Sequence, residues 1–173
     1  VIDLKVPTLA LVSYPAQRQG FVVRHDSPLK GGIADLKGQK VLKRPAVVGT
    51  PIGSATHQGL LLAARVLGLE EGKDFVLKNT GLADILAMPA GIDAFCVWEP
   101  NLLMMTEVLK NARIVELLDN YLVFNGYAYM RGEIEQNAPD VVQAYTDAFV
   151  EARLLARQKP GEVLAAMAAD PSQ

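Results

Sequence analysis

Between residues 57 and 117 the chain alternates helical stretches with short, continuous apolar runs, and this alternation limits its possible folds more than any other feature. Helices are predicted over 57–67, 82–88 and 101–110, and strands over 75–77, 94–98 and 113–117. Strands that are apolar without a break are buried on both faces, and helices between them cover those faces, as in parallel βαβ units. The fold class is α/β.

Outside this region the pattern changes. Upstream, 8–13 and 20–24 read as short apolar strands, and Asp26-Ser27-Pro28 begins a turn into a short helical segment over 32–38. Residues 41–48 form a strand region broken by Pro45. Downstream, 121–131 reads as one long strand rich in aromatics, followed by a helical tail. There Val141, Val142, Tyr145, Ala148, Phe149, Ala152, Leu155 and Ala156 recur at three- and four-residue steps, so this helix is expected to pack on the sheet and to end near Lys159-Pro160-Gly161.

With 173 residues, half of them hydrophobic, the chain can bury a core as a folded protein rather than a disordered one. A net charge of −2, with acids and bases scattered, leaves no basic stripe for nucleic acid. The single cysteine, Cys96, excludes an internal disulfide framework and a multi-cysteine metal site. Its place in an apolar strand reads as an inert, buried residue. No apolar run approaches the roughly 20 residues that span a bilayer. Val1-Ile2-Asp3-Leu4-Lys5 lacks the basic start and long apolar core of a signal peptide, so export would require a signal outside this sequence.

One segment suggests chemistry. Gly53-Ser54-Ala55-Thr56-His57 leads directly into an apolar helical run, and small, hydroxylated residues at a helix mouth leave backbone N–H groups unpaired at the positive end of the dipole. This is a cradle for an anion, with Ser54 and Thr56 able to donate hydroxyls to it, or an ordinary N-cap. His57, three residues after Ser54, has the spacing of a nucleophile and base, but no G-x-S-x-G elbow surrounds the serine, and a packing or ligand-side role fits better. Trp98 ends a strand where the crevice of an open α/β sheet lies, to stack on a ligand or pack in the core. Glu99, before Pro100, caps the following helix or meets a cation, either on the ligand or at Arg24.

Four segments in order, Gly20–Pro28, Ala34–Val41, Gly53–His57 and Gly91–Pro100, resemble successive signatures of the nitrate/sulfonate/taurine-type substrate-binding proteins of ABC importers. The resemblance implies a type II periplasmic-binding-protein-like fold with one complete parallel-sheet lobe and part of a second. On that pattern residues 1–35 are the remainder of lobe 1, 36–118 form lobe 2 with the anion-binding helix, and 119–173 return to lobe 1. It further implies that Gly53, Ser54, Ala55, Thr56 and His57 surround the anion, that Trp98 and Glu99 line the cleft, and that Asn125 and Tyr127 reach it from the other lobe. Family members are longer, so the chain is expected to lack the amino-terminal part of the first lobe, and its 42–50 link is longer than theirs.

The resemblance thus implies a monomeric receptor for a small anion (sulfonate, nitrate, taurine or aromatic carboxylate) that docks on a membrane permease, with no cofactor, metal or nucleic acid. Its setting would be periplasmic or lipid-anchored outside the cytoplasm. Enzymes on a related scaffold, such as aromatic sulfinate desulfinases and thiamin-pyrimidine synthases, would be cytoplasmic and are the main alternative. An effector-sensing domain of a transcription regulator is the third.

Overall fold

The computed structural model describes residues 8–14 and 17–169; the Val1-Ile2-Asp3-Leu4-Lys5 segment lies outside them. The chain divides into two compact units, one from Val1–Pro15 with Asn125–Gln173 and one from Ala16–Phe124. The division falls upstream of the boundary expected at residues 35 and 36.

The Ala16–Phe124 unit is a five-stranded sheet with strands β2 (Gln19–Arg24), β3 (Ala46–Thr50), β4 (Phe75–Asn79), β5 (Ala94–Trp98) and β6 (Ala112–Leu117), in the order β4-β3-β5-β2-β6. β3 is parallel to both β4 and β5, as the alternation requires. β2 is antiparallel to its neighbours β5 and β6, so the sheet is mixed rather than wholly parallel. The reason is topological: β2 precedes the alternating region, so no helical crossover ties its direction to that of the strands it enters between.

Both faces are buried, by alternate residues of the same strands. Phe21, Val23, Val48, Ala94 and Cys96 pack with Leu60, Ala63 and Ala64 of helix α1 (Ala55–Leu67). Val22, Phe95 and Val97 face the other way, onto Ile85 of α2 (Leu82–Ala87) and Leu102 of α3 (Asn101–Leu103). α1 is closed at both ends by its own sequence. Ser54 Oγ accepts from the His57 N–H at 3.2 Å, and Gly68 adopts a left-handed C-cap with φ 66°. Lys37, in 3-10 turns over Ile33–Gln39, donates to the Leu67 carbonyl at 2.9 Å, placing a cation at the negative end of the dipole.

Two expected elements are shorter than the sequence suggests. The helix over 101–110 is α-helical only to Leu103 and continues as a wider π-helical turn, Met104–Val108. The long strand over 121–131 starts only at Gly126, as β7 (Gly126–Arg131), because a 3-10 turn at Leu118–Asn120 folds back and the Leu118 carbonyl accepts from both Tyr121 and Leu122 N–H groups. Tyr121 is tied by its hydroxyl to Glu116 at 2.6 Å, which raises its pKa to about 12.

In the other unit β1 (Thr8–Tyr14) pairs antiparallel with β7, and α4 (Gly132–Asn137), α5 (Pro139–Gln158) and α6 (Pro160–Ala168) follow. Pro160 ends α5 where expected and starts α6. The expected burial of α5 is only partly realised. Val142 and Phe149 are half-buried, whereas Val141 and Tyr145 remain 50% and 46% exposed. The helix runs against β1 of a two-stranded sheet, which is too narrow to cover more than a single stripe of it. Among the described residues no helix is long and apolar enough to cross a membrane.

Candidate functional site

α1 follows β3 at the carboxyl end of the parallel strands, and β5 ends beside it at Trp98. β2 runs the opposite way, so its first residue, Gln19, pairs with Trp98 at this same edge. A cavity of about 210 Å³ opens here, lined by Gln17, Gln19, Ser54, Ala55, Trp98 and Phe124. The carboxyl edge of such a sheet is where α/β proteins bind ligands.

The first turn of α1 has few donors left. Ser54 N–H donates to the Pro51 carbonyl, His57 N–H to Ser54 Oγ and Gln58 N–H to the Ser54 carbonyl. Gly53, at φ 85°, gives its N–H to His57 Nδ1 at 3.1 Å. The Ala55 and Thr56 amides make no hydrogen bond among the described residues, and of the two it is Ala55 that lines the cavity, a donor at the positive helix end.

The hydroxyls form a relay. Thr50 Oγ1 lies 3.1 Å from Thr56 Oγ1, which is 2.9 Å from Ser54 Oγ. With Thr50 donating to Thr56 and Thr56 to Ser54, the Ser54 hydrogen is free to point into the cavity it lines. Thr56 itself is fully buried, its hydroxyl bridging Thr50 and Ser54. His57 closes the Gly53 turn through Nδ1, which makes the ring an acceptor there and places its proton on Nε2.

Trp98 is half-buried and walls the cavity. Glu99 does not meet Arg24. Its Oε1 pairs with Arg18 at 3.1 Å, and its Oε2 accepts the Leu103 N–H at 2.9 Å, capping the short α3. Arg24 is occupied by the carbonyls of Met88, Pro89 and Ile92. Asp93, first acid of the same segment, is structural: it grips Arg44 with both oxygens at 2.7 Å and accepts the Val47 N–H at 2.8 Å. Burial alone would raise its pKa, but these bonds hold the carboxyl below its usual range.

Asn125 and Tyr127 belong to the other unit, where Tyr127 is exposed beside Tyr129. Cys96 is fully buried in β5, and desolvation pushes its thiol well above the usual range, so it offers no thiolate nucleophile. Sequence reasoning missed three cavity residues, Gln17, Gln19 and Phe124. A signal existed for one of them: Gln19 is a polar residue in phase with the inward-facing Phe21 and Val23.

No protein-family model matches this sequence, and no curated protein does. Solved structures do. The periplasmic aliphatic sulphonate binding protein of Escherichia coli superposes with a TM-score of 0.74 at 22% identity, over 93% of this chain and 53% of that one. The chain has the periplasmic-binding-protein fold. The alkanesulfonate-binding protein of Xanthomonas axonopodis pv. citri, bound to MOPS, matches with a TM-score of 0.73 at 19% identity, over 98% of this chain and 57% of that one. The periplasmic nitrate-binding protein of Synechocystis gives 0.66 at 20% identity, over 92% of this chain and 43% of that one. The chain therefore spans about half the length of these structures, which are of the kind that its four sequence segments resemble.

Proposed function

We propose that this chain is part of a solute-binding receptor that captures a small anion at the N-terminus of α1 for an ABC importer. The observation that carries this reading is the unpaired Ala55 amide beside the Ser54 hydroxyl, both at a cavity walled by Trp98 and Phe124. A backbone donor, a relayed hydroxyl and the helix dipole favour an oxyanion without a cationic side chain. The aromatic walls suit the organic body of a sulfonate or carboxylate, and nitrate and taurine share the same head chemistry. The fold is that of proteins named for binding sulphonates and nitrate, which supports an extracytoplasmic receptor working with a membrane permease.

Glu99 pairs with Arg18 and caps α3, so it takes no part in ligand capture on this reading. Asn125 and Tyr127 remain proposed ligand contacts. Calorimetric titration against ethanesulfonate, taurine, nitrate and benzoate, with product analysis of every binder, tests the reading. Saturable binding without turnover supports it; turnover of a bound anion, or no binding of any of the four, overturns it.

A further inference from the structure

Gln19 is 1% exposed, yet its carbonyl oxygen Oε1 has no hydrogen-bond partner. Its backbone is not at fault, since the Gln19 N–H donates to Asp119 Oδ1 at 3.1 Å. The side chain runs beneath α1, where a Cβ placed on Gly59 would lie 3.7 Å from Oε1, and it lines the cavity next to Ser54 and Ala55. A buried amide with an unpaired end costs stability that a methionine or leucine of similar size would not. Packing alone gives no reason for a glutamine here.

From this we infer that Gln19 is a direct ligand contact, its side-chain amide donating to the oxyanion held at the N-terminus of α1. The inference rests on the reading of that terminus as an anion site. The planar amide has a donor end and an acceptor end, and an oxyanion selects the NH2 end. Gln19 then supplies a donor from the sheet, beside the Ala55 amide and the Ser54 hydroxyl from the helix, so the head group is held by two elements. Being neutral, it adds no charge for a competing cation to displace.

The test is calorimetric titration of ethanesulfonate, and separately nitrate, into the wild type, Q19M, Q19E and S54A, with the unfolding midpoint of each protein measured without ligand. Q19M is expected to weaken the better-bound anion fivefold or more while its midpoint stays equal or rises, because the unpaired polar group is gone. Q19E is expected to abolish measurable binding by setting a carboxylate against the anion. If Q19M binds within fivefold of wild type while S54A loses affinity, Gln19 is not a contact and the anion site at α1 stands. If the wild type binds neither anion, or S54A and Q19M both match it, both readings fall. A measurement on the unaltered protein guards against variants that do not fold. In 15N-glutamine-labelled wild type, the Gln19 side-chain NH2 resonances should move saturably with ethanesulfonate, and resonances that stay in place overturn the inference.

Discussion

At the scale of single residues, Ser54 combines two duties that the sequence presents as alternatives. Its Oγ caps α1 by accepting the His57 N–H, and it still has a hydrogen to give when Thr56 donates to it. Removing the hydroxyl with S54A should therefore weaken anion binding by about 1–2 kcal/mol and lower stability by about 1 kcal/mol, both measurable by titration and denaturant unfolding. T56V separates the duties. Thr56 is buried and does not line the cavity, but its hydroxyl holds the relay from Thr50, so the variant should weaken binding several-fold while the cap to His57 survives. Unchanged affinity in T56V would remove the relay from the mechanism. Ser54 and Ala55 were legible because cap chemistry is local and follows from residues adjacent in sequence. The true partner of Glu99 was not, since Arg18 comes to it from 81 positions away across the β2–β5 pairing.

At the scale of elements, the βαβ alternation located α1, β4, α2 and β5 closely because apolar runs and caps set them from within, whereas β3, expected over 41–48, runs over Ala46–Thr50. Elements set by distant contacts were less legible. The truncation of the strand expected over 121–131 depends on a turn held by Leu118 and on the bond from Tyr121 to Glu116, and neither has a hydrophobic period. The close packing of β3 on β5 yields an expected outcome: G49A would place a Cβ 2.9 Å from Phe95 Cδ1 and should destabilise the fold by about 1–3 kcal/mol in denaturant unfolding. Connections between elements carry a pH dependence. Asp74 accepts the Glu70 N–H at 2.9 Å and the Gly38 N–H at 2.7 Å, and these bonds hold its carboxyl below the ordinary value of 3.8, as those of Arg44 and Val47 do for Asp93. A carboxyl depressed in the folded state contributes its full stability above the unfolded value and loses it as pH falls through the folded one. Stability should thus drop below about pH 4. D74N should flatten that acid limb and cost about 1–3 kcal/mol near neutrality; an unchanged limb would assign the acid sensitivity elsewhere.

At the scale of the whole molecule, the two units differ in how well each buries itself. The Ala16–Phe124 unit has two apolar clusters on the two faces of one sheet, whereas no residue of α4, α5 or α6 is buried. The amphipathic period of α5 was legible in Val141, Val142 and Tyr145, but periodicity reports which face is apolar and not how much of it is covered. Amide hydrogen exchange should therefore be much faster in β1, β7 and α5 than in β2, β3 and β5, and equal protection would contradict this contrast. The anion site draws its helix donors, relay and aromatic walls from the better-buried unit. Its most direct test is a 15N amide titration of the protein with ethanesulfonate. Saturable downfield movement of the Ala55 amide resonance is the expected result, whereas a resonance that stays fixed at millimolar anion would contradict a site at the start of α1.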